Sequence, residues 1–224
     1  MRTHGLVVAK APVAGSAKTR LGAVVGMSTA ADLAAAALLD TLAACREAFG
    51  DRCHLALEGD LALAARSTEI TAALEGWDVF AQAGEAFGER LAHAHGTVTS
   101  ASAGPGGVVQ VGMDTPQVSA AELLAIAEAL DAGAGTVLGP AEDGGWWALG
   151  LDDGARAAVL REVAMSRADT FATTRHALAA DGSTVALTVS MRDVDTVADA
   201  AAVAALAPDT RFARAWSALE QVAS

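Results

Sequence analysis

The chain has 224 residues, of which 53% are hydrophobic and 19% are charged, so its composition excludes a disordered protein and allows a large buried core. The formal net charge of −12 argues against nucleic acid and anionic membranes as partners, because a strongly acidic surface repels both. Only residues 6–9 are apolar before Lys10, and Asp32 and Asp40 interrupt the alanine-rich run after Ser28. We therefore expect a cytoplasmic protein with no leader segment and no membrane span.

Hydrophobic patterning predicts strands that alternate with helices along the chain. Strands are predicted at 5–9, 54–57, 77–82, 108–111, 136–138, 146–151 and 184–189. Helices are predicted at 28–49 with Ser28-Thr29 as its cap, at 61–74, 85–99, 119–130 and 196–206, and from 212 onward, with a Gly/Ser/Pro turn at 100–107. This alternation indicates an α/β protein with a mostly parallel central sheet covered on both faces, and residues 1–224 are expected to form a single domain.

Ligands of such sheets bind at the carboxyl ends of the strands, and the loop after the first strand is rich in positive charge. It contains both lysines of the chain, Lys10 and Lys18, together with Gly15 and Arg20. Backbone N–H groups and cationic side chains can wrap a diphosphate, so the loop is a candidate nucleotide-binding segment. A Walker A loop is excluded because Ala17 stands where that motif requires glycine. The alternative is a solvated basic turn.

Asp114 lies just after the fourth predicted strand and is followed closely by Pro116. A carboxylate at the tip of a central strand suits a hard divalent cation such as Mg²⁺, which binds few carboxylates together with water and substrate phosphates. The alternative is that Asp114 caps the following turn.

An unusual string of two acids, two glycines and two tryptophans follows the fifth strand. Glu142 and Asp143 are candidates for a general base or a contact to an acceptor hydroxyl. Gly144 and Gly145 allow the backbone to approach a ligand closely. Adjacent side chains of a strand face opposite ways, so one tryptophan is expected in the core and the other, assigned to Trp146, at the substrate; the alternative is that both are core residues.

Asp193 and Asp195 share a face if their segment is extended, which suits a metal. The alternative is that Asp195 or Thr196 simply begins the next helix. Arg90 lies near the start of the third predicted helix and is a candidate phosphate contact.

Histidine and cysteine carry no predicted chemistry. His93 and His95 lack the spacing of a helical zinc pair and are interpreted as surface or packing residues. Cys45 and Cys53 lack the spacing of a metal site and are interpreted as packing residues.

Five strings in order along the chain resemble the bacterial DUF2064 proteins, a family of glycosyltransferase-A-like nucleotide-diphospho-sugar transferases. They are AKAPVAGSAKTRL, GERLAHA, VGMDTP, GPAEDGGWW and DVDT. The resemblance implies a Rossmann-like three-layer α/β/α sandwich. It also implies roles for seven residues: phosphate contacts at Lys10, Lys18 and Arg20, a metal-associated Asp114, an active-site acid at Asp143, and the late pair Asp193 and Asp195.

The resulting hypothesis is a transferase that requires Mg²⁺ or Mn²⁺ and uses a nucleoside-diphosphate-activated donor, with glycosyl transfer to a small acceptor as its reaction. One alternative is a nucleotidyltransferase that resembles phospholactate or phosphoenolpyruvate guanylyltransferases and uses a nucleoside triphosphate. Another is a nucleotide-binding module without catalysis. Assembly as a homodimer is compatible with the sequence.

Overall fold

A computed structural model describes residues 3–101, 106–180 and 182–223. Seven strands form one sheet in the order β3-β2-β1-β4-β6-β5-β7, in which only β6 runs antiparallel to its neighbours. The predicted mostly parallel sheet is confirmed, whereas residues 102–105 of the predicted turn lie outside the described residues. The strands are β1 His4–Lys10, β2 Cys53–Glu58, β3 Asp78–Ala81, β4 Val108–Gly112, β5 Thr136–Pro140, β6 Trp146–Leu151 and β7 Val185–Leu187.

Helices cover both faces of this sheet, which confirms the three-layer arrangement. One apolar core lies between the sheet and α2, α3 and α5, and a second lies between the sheet and α4, α6 and a 3-10 helix at Gly154–Glu162. A third cluster packs α1 and α2 against α7 and α8. The helices are α1 Thr19–Val25, α2 Met27–Phe49, α3 Ser67–Ala73, α4 Phe87–Ala101, α5 Ala120–Asp131, α6 Thr170–Leu178, α7 Val197–Leu206 and α8 Arg211–Ala223.

The central helix α2 departs from the expectation that no segment is apolar enough to span a membrane. By length and composition it meets that criterion, but 72% of the apolar window is buried inside the fold. Asp40 is itself buried and accepts hydrogen bonds from the backbone N–H groups of Arg211 and Phe212. The apolar face thus packs in the core, and its one buried acid anchors the first turn of α8.

Helix boundaries account for the other differences. Helix α2 begins at Met27 after Gly26 rather than at a Ser28 cap, because a short helix, α1, immediately precedes it and was not predicted. The predicted helix over 61–74 is divided into a 3-10 turn at Leu61–Leu63 and α3. Arg66 separates them with a left-handed backbone (φ 52°), and its guanidinium makes two hydrogen bonds to Asp32 on α2, a tertiary contact that no local pattern indicates.

Two helix starts follow the sequence closely. The predicted capping box of Ser119 and Glu122 opens α5 and is confirmed. Thr196 caps α7 together with Asp199, so the helix start belongs to Thr196 and leaves Asp195 free of that role.

Candidate functional site

A cleft of about 620 Å³ opens at the carboxyl ends of β1 and β4. It continues into a smaller pocket of about 270 Å³ beside the loop that joins β1 to α1. Lys10, Arg20, Met113, Asp114 and Asp195 line both spaces. The segments that carry unusual residues in the sequence therefore meet at one edge of the sheet.

Lys18 lies at the centre of the smaller pocket. Its ammonium nitrogen is 2.9 Å from Oδ1 of Asp114 and 2.9 Å from Oδ1 of Asp195. The side chain is only 9% exposed, and although burial acts in the opposite direction, the two carboxylates raise the pKa of Lys18. Lys18 also adopts a left-handed backbone conformation (φ 51°), which is uncommon for a residue with a Cβ and clusters at functional sites.

A second pair of carboxylates, Asp143 and Asp193, lies along the same cleft. Burial, followed by repulsion from Asp143, raises the pKa of Asp193 to about 6. In contrast, the Lys18 ammonium outweighs the effect of burial and lowers the pKa of Asp195. The cations of the cleft thus compensate the negative charge of Asp195 but not that of Asp193.

The carboxylates of Asp114 and Asp195 could bind a divalent cation, but they provide few protein ligands for it. Oxygens of Asp114 and Asp195 converge on one point, and Mg²⁺ commonly binds one or two carboxylates plus water and substrate phosphates. Within the described residues, however, no group of three or more His, Cys, Asp or Glu side chains is arranged to hold a metal. Asp114 and Asp195 would therefore need further oxygens, from water or from the ligand, to hold the ion, and Lys18 would have to give up the same two oxygens.

The other predicted phosphate contacts are arranged differently. Arg20 is 80% exposed, 3.7 Å from Asp195, and able to swing towards a ligand. Lys10 and Arg90 both pair with Glu58, at 3.5 and 2.7 Å, although Arg90 is not among the residues that line the cleft. Glu58 was not foreseen, and it ties two candidate cations to one acid.

Some of the residues 142–147, which follow β5, line the cleft, and others lie outside its lining. Asp143 and Trp146 line the cleft, with Asp143 Oδ1 accepting a hydrogen bond from the N–H of Gly145 at 2.8 Å. Glu142 is not among the lining residues and pairs instead with Arg192. Gly144 has φ of +92°, and a Cβ there would lie 2.1 Å from the carbonyl oxygen of Ala168.

The two tryptophans separate as the strand pattern suggests. Trp146 is half-buried and its Nε1–H donates to Oγ1 of Thr174, whereas Trp147 is buried in the core and donates to the carbonyl of Val189. Gly15 has a positive φ of 78° in the first loop and does not line either space, so its place is that of a turn residue.

Sequence reasoning missed one buried polar residue that lines the cleft, Gln110. Gln110 projects from the middle of β4 and accepts a hydrogen bond from His95, so the histidine interpreted as surface or packing is a buried polar partner. Ser166, with a left-handed backbone (φ 60°), and Arg167 form part of the rim. In the sequence of β4, VVQVG, Gln110 is a single polar residue among apolar ones, and no periodic pattern indicates its position in the cleft.

The family assignment rests on a profile match. The profile of DUF2064, described as uncharacterized proteins conserved in bacteria, matches residues 41–167. The chain belongs to the DUF2064 family. No curated protein matches this DUF2064 chain.

Solved structures resemble the DUF2064 chain over nearly its full length. A protein from Desulfovibrio desulfuricans G20, provisionally named a nucleotide-diphospho-sugar transferase, is 27% identical, with 98% of this chain and 94% of that chain covered and a TM-score of 0.83. Rv0371c from Mycobacterium tuberculosis H37Rv, solved in complex with manganese, is 22% identical (91% and 98% covered, TM-score 0.54). A cytidylyltransferase from Leptospira borgpetersenii is 11% identical (99% and 93% covered, TM-score 0.57). The last two show a shared fold.

Proposed function

We propose that this protein is a metal-dependent transferase that binds a nucleoside-diphosphate-activated donor, with glycosyl transfer as its reaction. The observation that carries the proposal is the convergence of Lys18, Asp114 and Asp195 where the basic first loop meets the cleft. A diphosphate needs cations, and a divalent ion needs carboxylates beside it. This chain, despite its acidity, brings both to one place.

The first loop would bind the diphosphate. Lys18 and Arg20 supply positive charge where negative charge grows on the leaving diphosphate, and preorganised charge of this kind is a large part of enzymatic rate acceleration. A divalent cation at Asp114 and Asp195 would supply Lewis-acid stabilisation of the same oxygens. Lys18 therefore has two sets of partners, the carboxylates in the free protein and phosphate oxygens in the complex.

Asp143 would orient and deprotonate the acceptor hydroxyl. The N–H of Gly145 holds Oδ1, which leaves Oδ2 as the oxygen available to an acceptor. The neighbouring Asp193, with its pKa raised to about 6, can carry a proton close to neutral pH and so limits the charge crowded around Asp143. Glu142 fits less well because Arg192 already neutralises it outside the cleft lining.

Full-length similarity to the Desulfovibrio protein, whose provisional name is nucleotide-diphospho-sugar transferase, also supports a nucleotide-sugar donor. The cytidylyltransferase and manganese-bound neighbours share the fold at lower identity, so a nucleotidyltransferase remains the rival reaction. The two reactions differ in their substrates: a nucleotide sugar for one, a nucleoside triphosphate for the other.

The melting temperature distinguishes these alternatives, because a ligand that binds only the native state raises stability. UDP-glucose, GDP-mannose, ADP-glucose and TDP-glucose would each be compared with their parent diphosphates and with nucleoside triphosphates, with and without Mn²⁺ or Mg²⁺. We expect a metal-dependent shift with one nucleotide sugar, followed by release of its diphosphate when acceptors are added. A shift with triphosphates alone would replace glycosyl with nucleotidyl transfer, and binding without turnover of any ligand would leave only a binding module.

A further inference from the structure

The side-chain amide of Gln110 lines the cleft, and the described residues leave part of its hydrogen-bonding capacity unused. Gln110 is 3% exposed and lies in the middle of β4, a strand paired on both sides. Its Oε1 is 2.9 Å from Nε2 of His95. Its Nε2 has no hydrogen-bond partner among the described residues and is not among their buried unpaired atoms, so it reaches the surface of the cleft that Gln110 lines.

His95 determines which way that amide points. It is fully buried, and burial lowers its pKa to about 4, so the ring is neutral and carries a single N–H. Its Nδ1 has no partner, and an unpaired buried N–H is rarer than an unpaired acceptor. The proton therefore belongs on Nε2, where it is donated to Gln110 Oε1, and the NH2 group of Gln110 is directed towards the cleft.

The backbone that carries His95 is held closely. A Cβ on Gly88 would lie 2.1 Å from the carbonyl oxygen of Leu160, and one on Gly154 would lie 2.2 Å from Oγ1 of Thr99. These two contacts pack α4 directly on the 3-10 helix Gly154–Glu162. His95 is thus fully buried on a closely packed helix, and its contact with Oε1 orients Gln110 in the free protein.

The cleft that Gln110 lines also has aromatic side chains and a hydroxyl group that is already hydrogen-bonded. Trp146 and Phe87 contribute aromatic surface, and Thr170 already uses its hydroxyl with Arg167 N–H and the carbonyl of Ala164. Of the cations that line the cleft, Lys10 and Arg20 belong to the phosphate-binding side, and Arg167 is 63% exposed and pairs with Asp169 at 3.0 Å. A neutral N–H donor beside aromatic surface suits a neutral hydroxylated ring rather than an anion.

We propose that Gln110 is a specificity-determining residue whose amide donates a hydrogen bond to an oxygen of the donor's sugar ring, and that His95 is the positioning residue that fixes this amide. The inference rests on the proposed function for the existence of a nucleotide-sugar donor. Beyond that function, the inference identifies residues that recognise the sugar of the donor rather than its nucleotide.

The test separates sugar recognition from nucleotide binding. Calorimetry would give, for each pair, the ratio of the Kd of the nucleoside diphosphate to the Kd of the nucleotide sugar. The pairs are UDP with UDP-glucose, GDP with GDP-mannose, ADP with ADP-glucose and TDP with TDP-glucose. For the best-bound pair, Gln110→Leu should lower this ratio about tenfold, the value of one neutral hydrogen bond, and leave the Kd of the diphosphate unchanged. Gln110→Glu keeps the acceptor for His95 and, when ionised, has no hydrogen to donate, so at a pH where it is ionised it should show the same loss even where Gln110→Leu folds poorly.

The positioning role has its own variants. His95→Leu should lower the ratio as Gln110→Leu does, His95→Gln should restore most of it by donating again to Gln110, and the exposed His93→Leu should have no effect. A ratio unchanged in both Gln110 variants would overturn the inference, and one unchanged in His95→Leu alone would overturn the positioning role. If wild-type protein binds a nucleotide sugar no more tightly than the corresponding diphosphate, only the inference is overturned. If it binds neither ligand, the proposed function is overturned as well.

Discussion

Replacing Lys18 with methionine should make the free protein bind Mn²⁺ more tightly, not less. In the absence of nucleotide the ammonium contacts one oxygen each of Asp114 and Asp195, both at 2.9 Å. These are the oxygens that a divalent cation would use, so the ion has to displace the lysine before it can bind. Methionine keeps the length of the side chain and removes that competition.

The size of the effect follows from the two contacts. The carboxylates are 41% and 42% exposed, so each contact is discounted to about 1 kcal/mol, the upper end for exposed ion pairs, because the ammonium itself is nearly buried. Two such contacts amount to about 2 kcal/mol, which corresponds to roughly 30-fold in Kd. Electron paramagnetic resonance of free Mn²⁺ during titration measures that Kd directly.

The matched control is Lys10→Met, which removes the other lysine of the same loop, a residue that pairs with Glu58 rather than with the two aspartates. We expect less than about a threefold change there, since a single exposed pair contributes little. Adding a diphosphate should tighten Mn²⁺ binding to wild type but much less to Lys18→Met, because only the wild-type lysine can move to the phosphates. Equal or weaker Mn²⁺ binding by Lys18→Met would refute the idea that ammonium and metal share one position.

Three further changes test other parts of the structure. Asp40→Ala should lower the free energy of unfolding by about 2 kcal/mol in urea titrations, since it removes the buried acceptor for two N–H groups of α8. The loss should exceed that of Asp32→Ala, which removes a half-buried ion pair with Arg66, and equal losses would contradict it. Asp193→Asn should stabilise the protein by about 1 kcal/mol at pH 7.5 and by much less at pH 4. The pKa of Asp193 is raised to about 6 in the folded state, so its contribution to stability is present at low pH and is lost as pH rises through 6. The expected gain of about 1 kcal/mol is already discounted for the partial exposure of Asp193. A gain in stability that does not depend on pH would contradict this explanation. Asp143→Asn should bind the nucleotide sugar with wild-type affinity and lose at least about 100-fold in turnover measured by diphosphate release, and full turnover would remove Asp143 from the chemistry.

The fold was accessible from sequence because its strands and caps are local signals. Apolar runs such as that of β1, and the Ser119 capping box, are specified by adjacent residues, and the structure has them at the predicted places. The break in the helix at Arg66 was not accessible, since it depends on Asp32, which is far away along the chain. The antiparallel direction of β6 likewise depends on pairing with both β4 and β5 rather than on its own residues.

The site divides in the same way. Glycine, lysine and aspartate at strand ends are conspicuous, and the structure brings Lys18, Asp114 and Asp195 into direct contact. What the sequence could not indicate is pairing: nothing local shows that Lys18 would neutralise the aspartates predicted to hold a metal. Gln110 and His95 escaped notice for a related reason, because a polar pair buried across two elements has no periodic signature.

The most direct test of the central claim is a calorimetric titration of the nucleoside diphosphate that gives the largest shift in melting temperature, with and without Mn²⁺, on wild type, Asp114→Asn and the exposed control Asp131→Asn. The account predicts that Mn²⁺ strengthens diphosphate binding to wild type and to the control, and that this gain disappears in Asp114→Asn while its fold stays intact. Diphosphate binding in Asp114→Asn that responds to Mn²⁺ as wild type does would contradict it.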